Sequence, residues 1–190
     1  MNESYRILVC GGVCSGKTVF ARELSHRLGV AALHLDDVFW YGNWENIGQS
    51  KLLDIVREKT TGDEWIVDGN YRLVHEMLWD KCTHIVYMDP PFAVTMYHAL
   101  KRSMARDRRG VPLRVRKEQG AKEPAFGLLR LVWQYRTTKR RKDLAWLQEI
   151  NDGPAERIVV RNAVDRREAI EHHFSIHRGG DQQLQLGKRP

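Results

Sequence analysis

The apolar residues of this chain fall into two kinds of pattern. Five short apolar runs predict buried β-strands, at residues 5–10, 31–35, 65–68, 84–89 and 157–161. Longer segments with apolar residues every three or four positions predict helices, at residues 17–28, 50–59, 71–79, 92–106 and 125–150. Asp165 and Glu168 form a pattern like a capping box, which predicts the start of a last helix. Residues 39–49 are rich in aromatic side chains, have no period and predict a loop.

Strands that alternate with helices indicate a parallel sheet covered on both faces. We therefore expect an α/β fold with a five-stranded parallel sheet, formed by residues 1–175 as one domain. The polar, glycine-rich residues 176–190 are expected to be disordered. No apolar run approaches the roughly 18 residues of a membrane span. The N-terminal stretch MNESYRILVCGG has no basic region followed by an apolar stretch, so we expect no secretion signal. Three cysteines without a zinc spacing are typical of reduced thiols in a cytoplasmic protein.

A glycine-rich stretch joins the first predicted strand to the first predicted helix. It reads GGVCSGKT and satisfies the phosphate-loop pattern G-x-x-x-x-G-K-[ST]. Backbone N–H groups of such a loop surround phosphate oxygens, the lysine reaches the β- and γ-phosphates, and the threonine hydroxyl ligates Mg²⁺. The pattern predicts a P-loop NTPase fold that binds ATP and Mg²⁺ through Gly11, Gly12, Val13, Cys14, Ser15, Gly16, Lys17 and Thr18.

Acidic residues follow three of the predicted strands. Ligands of an open parallel sheet bind beyond the carboxyl ends of its strands. Asp36, next to Asp37, is expected to orient or deprotonate an acceptor hydroxyl, and Asp68 to support the metal. Asp89 precedes two prolines and is interpreted as a turn residue.

The motif around Asp68 resembles a known family. Residues 68–72 read DGNYR and are similar to the D-G-x-x-R stretch of adenylate kinases. Together with LDDVFW at 35–40 and the phosphate loop, they resemble the bacterial adenylate-kinase-related proteins called "DNA topology modulation" proteins, from about Ile7 to Phe174. The resemblance implies a P-loop kinase in which Asp68 assists Mg²⁺ through water and Arg72 binds phosphate.

Positive charge is concentrated in one segment. Residues 101–142 contain 15 lysines and arginines but only three acidic residues, within a chain of net charge +7. Arg102 and Arg106 are one helical turn apart, as in the Arg-x-x-x-Arg pair where the lid of adenylate kinases begins, and Arg109 follows. We expect residues 102–124 to form a basic lid over ATP. Nucleic-acid contact through 101–142 and a solvated charged face remain as alternatives.

These observations favour an ATP-dependent phosphotransferase of the nucleoside/nucleotide-kinase type. Phosphates would be held by Lys17 and by an arginine set of Arg72, Arg102, Arg106 and Arg109. The aromatic residues Trp40, Tyr41 and Trp44 either stack on the acceptor or seal the core. The alternative function is a nucleic-acid-binding regulator, or a polynucleotide-end kinase, that uses the same loop. The patterns do not name the acceptor, nor do they distinguish ATP from GTP.

Overall fold

The structure, a computed structural model, describes residues 4–41, 44–104, 125–150 and 153–174. Its strands are β1 Arg6–Gly11, β2 Ala32–His34, β3 Trp40–Tyr41, β4 Glu45–Asn46, β5 Trp65–Asp68, β6 His84–Met88 and β7 Glu156–Val160. Its α-helices are α1 Lys17–Leu28, α2 Leu35–Phe39, α3 Gln49–Lys59, α4 Arg72–Leu78, α5 Phe92–Met104, α6 Ala125–Gln134, α7 Arg140–Glu149 and α8 Ala163–Glu168. A π-helical segment, Tyr135–Lys139, joins α6 to α7, and a second, Ala169–His173, follows α8.

Five strands form one parallel sheet in the order β2-β5-β1-β6-β7, with β1 at the centre. Alternate residues of β1 point to opposite faces, so Ile7 and Val9 enter one core while Leu8 and Cys10 enter the other. The first core is closed by α1 and by the C-terminal helical segment, and the second by α3, α4 and α7. The predicted α/β fold class is confirmed: a five-stranded parallel sheet flanked by helices, with the phosphate loop after its central strand.

Helices α5 and α6 pack against each other at one end of the sheet. Ala99 of α5 and Leu128 and Val132 of α6 form a small third apolar cluster, and partly buried Val13 and Cys14 of the phosphate loop pack against it. Within the ranges that the structure describes, no helix is long and apolar enough to cross a membrane.

Three details differ from the sequence-based expectations. The loop predicted at 39–49 is partly ordered, because α2 extends to Phe39 and β3 pairs with β4 as an antiparallel ribbon. The last helix is capped by Asn162, whose side chain accepts hydrogen bonds from the backbone N–H groups of Val164 and Asp165, rather than by Asp165 itself. The helix predicted at 125–150 contains the π-helical segment, which changes the register of its side chains.

Part of the predicted lid and the predicted tail lie outside the described residues. The described chain stops at Met104 and resumes at Ala125, so Arg106 and Arg109 fall in the gap. The segment 176–190 falls outside it as well. The basic lid and the disordered tail therefore stay predictions.

Candidate active site

The carboxyl ends of four neighbouring strands bring the predicted site together. In the parallel pairing of β1 with β5, Val9 lies opposite Asp68, and in that of β2 with β5, His34 lies opposite Asp68. Gly11, the last residue of β1, lies opposite Met88 of β6. Since parallel strands end at one edge, the phosphate loop, Asp68 and Asp89 share that edge of the sheet.

The phosphate loop contains three residues with positive φ angles. Gly11 and Gly16 have positive φ angles of 133° and 93°, and Cys14 between them has a φ of 58°. Nζ of Lys17 donates a hydrogen bond of 2.8 Å to the carbonyl oxygen of Gly12. Lys17 is also the first residue of α1, so the positive end of the helix dipole faces the loop. These features are suited to binding an anion.

Asp68 is buried at the end of β5 and has a histidine partner. Nδ1 of His34 lies 2.9 Å from Oδ2 of Asp68. The other oxygen, Oδ1, is buried and has no hydrogen-bond partner among the described residues. Burying a carboxylate oxygen without a partner is unfavourable. A cation, or a water molecule bound to one, would supply the missing partner of Oδ1.

Mg²⁺ prefers oxygen ligands and usually binds through one or two carboxylates together with substrate phosphates and water. The buried Oδ1 of Asp68 meets this requirement, and Thr18 supplies a hydroxyl at the start of α1. Oγ of Ser15, within the loop, is likewise buried without a partner in the described chain. The residues present therefore fit a magnesium–phosphate group.

Asp36 lies at the start of α2 and is exposed. Its Oδ1 accepts a hydrogen bond of 2.6 Å from the hydroxyl of Tyr71, which follows the DGN segment. Burial and the nearby Asp36 carboxylate raise the pKa of Tyr71 above its ordinary value, so this hydroxyl stays protonated and donates. The hydrogen bond fixes Asp36 beside the loop that follows Asp68.

The predicted arginines have different surroundings. Arg72 pairs with Glu76 on the exposed side of α4, with 2.7 Å between Nε and Oε1. Arg102 lies in the last turn of α5. One turn earlier, Nδ1 of His98 donates to the carbonyl oxygen of Cys14 at 3.2 Å, which ties α5 to the phosphate loop.

Asp89, interpreted from the sequence as a turn residue, forms an ion pair with Arg140. It is buried, and its two oxygens accept hydrogen bonds of 2.7 Å each from Nε and Nη2 of Arg140, a bidentate pair. Nη1 of Arg136 lies 4.0 Å from the same carboxylate. A pocket opens here beside the phosphate loop, and its walls include Gly12, Ser15, Asp89, Tyr135, Arg136 and Arg140.

Sequence reasoning missed His34, Tyr135 and Arg140 as parts of this site. His34 lies in a short apolar run without any motif, and Arg140 belongs to the basic segment 101–142, where it was expected to contact solvent or a polyanion. The one available signal was position, since His34 lies next to the last residue of a predicted strand, at the ligand-binding edge. Arg140 directly follows the π-helical segment, which periodicity does not predict.

The aromatic residues of the ribbon pack mainly on one another. The Phe39 ring lies 5.0 Å from the rings of both Trp40 and Tyr71, and the Trp40 and Trp44 rings are 5.9 Å apart. Phe39 and Tyr71 also pack against the second core. Phe39 and Tyr71 therefore help to close the second core, while Tyr41 is exposed. The two interpretations of Trp40, Tyr41 and Trp44 stay predictions.

Similarities to known proteins are found among solved structures. No protein-family model matches the chain, and no curated protein matches it. Among solved structures, the chain is similar to the crystal structure of a gluconokinase from Sinorhizobium meliloti 1021, with 14% sequence identity and a TM-score of 0.49. The match covers 88% of this chain and 90% of the other. The resemblance to the DNA topology modulation family stays a prediction.

Proposed function

We propose that this protein is a P-loop kinase that transfers the γ-phosphate of ATP to a hydroxyl group of a nucleoside- or nucleotide-like acceptor. The observation that carries the proposal is the pairing of a complete phosphate loop with the buried Oδ1 of Asp68 on the adjacent strand, an atom that has no partner in the part of the chain that the structure describes. A phosphate loop binds the donor, and a carboxylate at this place is suited to hold the Mg²⁺ that accompanies the donor.

Donor binding begins with the loop and Lys17. The backbone N–H groups of residues 11–18 and the N-terminus of α1 attract the phosphate oxygens. Lys17 exchanges its hydrogen bond with the Gly12 carbonyl for the β- and γ-phosphates, whose charge it neutralises. Mg²⁺, when bound through Thr18 and Asp68, supplies further neutralisation of phosphate charge.

Transfer then requires an acceptor oxygen in line with the γ-phosphorus. The acceptor oxygen forms a bond to this phosphorus, the bond to the bridging oxygen of ADP breaks, and the acceptor proton passes to the carboxylate of Asp36. Tyr71 holds one oxygen of Asp36 by a 2.6 Å hydrogen bond, which leaves the other oxygen for the acceptor. Arg140 and Arg136 face the loop across the pocket and suit the charge that spreads over the phosphoryl oxygens.

The exposed position of Asp36 at the edge of the sheet supports an acceptor that enters from solvent beside the aromatic ribbon. Exposed Tyr41 and partly exposed Trp40 offer apolar surface to a base or sugar. These features favour a nucleoside-like acceptor over a small inorganic one.

The experiment is phosphate transfer from labelled ATP to a panel of nucleosides, nucleotides, sugars, small alcohols and oligonucleotide ends. Lys17→Ala is expected to abolish transfer, because it removes the cation that the loop places at the phosphates. Lys51→Ala changes an exposed lysine of α3 and serves as the matched control. ATP binding without transfer to any member of the panel would refute the kinase proposal. Transfer at an unchanged rate in the Lys17→Ala variant would refute the mechanism.

A further inference from the structure

The ring of Tyr135 lies directly against the phosphate loop. A Cβ atom added at Gly12 would overlap Cε1 and Cδ1 of this ring. Gly12 does not have a positive φ angle, unlike Gly11 and Gly16. The absence of a side chain at position 12 is therefore required by the contact with Tyr135 rather than by the backbone conformation.

The backbone carbonyl group of Gly12 is also fixed, by two hydrogen bonds. Its carbonyl oxygen accepts hydrogen bonds from Nζ of Lys17 at 2.8 Å and from the backbone N–H of Ser15 at 3.4 Å. Gly12 therefore contacts both Lys17 and Tyr135. Tyr135 lies in the same π-helical segment as Arg136, and Arg140 follows that segment. A displacement at Gly12 would change the position of the loop amides that bind phosphate.

A chain of hydrogen bonds fixes the Tyr135 ring in this place. Its hydroxyl donates to Oδ2 of Asp143 at 2.7 Å, and Oδ2 also accepts from Nδ2 of Asn70 at 3.3 Å. Burial and the Asp143 carboxylate raise the pKa of Tyr135, so the hydroxyl remains protonated and donates. The Tyr87 hydroxyl, 2.8 Å away, then donates to the Tyr135 oxygen.

These bonds connect four parts of the fold. Tyr87 belongs to β6, Tyr135 begins the π-helical segment, Asp143 lies on α7, and Asn70 lies in the loop after Asp68. A π-helical segment inside a longer helix frequently marks a functional site, because it redirects side chains that an α-helix would place elsewhere. Here the segment places the ring of Tyr135 on Gly12.

We propose that Tyr135 is a positioning residue of the nucleotide site: its ring supports the phosphate loop at Gly12, and its hydroxyl, held by Asp143, keeps the ring there. This inference rests on the proposed binding of a nucleoside triphosphate by the loop. It does not depend on which acceptor receives the phosphate.

The test measures ATP affinity, by displacement of a fluorescent ATP analogue, together with the thermal unfolding midpoint of every variant. Tyr135→Leu removes the ring and should weaken ATP binding about tenfold, whereas Tyr135→Phe retains the ring and should weaken it only about threefold. Tyr97→Phe, on the exposed side of α5, is the matched control and should bind as the unaltered protein does.

A compensating pair of substitutions tests the contact itself. Gly12→Ala should weaken ATP binding by more than about thirtyfold, because the added methyl group pushes the loop off the ring. The double variant Gly12→Ala with Tyr135→Leu has room for that methyl group and should bind ATP better than Gly12→Ala alone. Recovery in the double variant is a result that a general loss of stability does not produce.

Two results would overturn the inference. One is a Tyr135→Leu variant that binds ATP as tightly as the unaltered protein, and the other is a double variant no better than Gly12→Ala alone. A protein that binds ATP and responds to these substitutions as expected, but phosphorylates nothing, would refute the kinase proposal and leave this inference standing.

Discussion

Nδ1 of His34 lies 2.9 Å from Oδ2 of Asp68, and this contact joins the carboxyl ends of β2 and β5. It occupies one oxygen of a buried carboxylate and leaves the other, Oδ1, without a partner among the described residues. A partner that fixes the orientation of a metal-binding side chain has a large effect on metal affinity. His34 therefore acts on the proposed magnesium site through Asp68.

We predict that His34→Ala raises the Mg²⁺ concentration needed for half-maximal ATP binding by about tenfold, because Asp68 loses the group that orients it. Binding of ATP without Mg²⁺ should change little. His26→Ala, an exposed histidine of α1, is the matched control. A titration of ATP binding against Mg²⁺ measures the effect, and an unchanged Mg²⁺ requirement in His34→Ala would show that the histidine has only a structural role.

Arg140 provides a second prediction, because its planar side chain makes a bidentate contact that lysine does not reproduce. Arg140→Lys should lower kcat for phosphate transfer about a hundredfold and leave ATP affinity within about threefold of the original. Arg141→Lys changes the exposed neighbour on the same helix and should have no effect. Steady-state kinetics with the acceptor found above give the comparison. Equal losses in both variants would contradict a specific role for Arg140.

The sequence predicts the parts of this fold that depend on local pattern. The apolar run WIVD corresponds to β5 residue for residue, and the helix predicted at 17–28 corresponds to α1. The phosphate loop is predictable because a strand, a glycine-rich turn and an amphipathic helix occur in this order, and each depends on residues that are close in the chain.

The parts that the sequence does not predict depend on residues distant in the chain. Asp68 is identified by its motif, but its partner His34 is brought to it by parallel pairing across the sheet. The contact between Asp89 and Arg140 spans 51 residues, and Arg140 begins a helix that follows the π-helical segment and packs against the second core. Periodicity carries no information about such contacts, so Arg140 is indistinguishable in sequence from its exposed neighbours.

Gly11 is predicted to be required for stability as well as for binding. Its φ angle of 133° disfavours other residues, and an added Cβ would overlap the carbonyl oxygen of Met88 on the neighbouring strand. Gly11→Ala should therefore lower the free energy of unfolding by about 3 kcal/mol. Gly29 also has a positive φ angle, of 72°, but outside its chain neighbours no atom of the described residues lies within 4 Å of its added Cβ. Gly29→Ala should therefore lower the free energy of unfolding by only about 1 kcal/mol. Urea unfolding measures the free energy of unfolding of both variants. A larger loss in Gly11→Ala than in Gly29→Ala reports the steric overlap, and equal losses would show that the overlap has no effect.

The cysteines should differ in reactivity. Burial raises the pKa of the Cys10 and Cys82 thiols well above the ordinary value, whereas Cys14 is partly exposed in the phosphate loop. Because the thiolate is the reactive form, a thiol reagent at about pH 8 should label Cys14 rapidly and should reach the other two only after unfolding. Bound ATP should slow the labelling of Cys14, since the loop then surrounds the phosphates. Mass spectrometry of peptides after timed alkylation identifies the labelled residue. Labelling of Cys14 at the same rate with and without saturating ATP would place the nucleotide elsewhere.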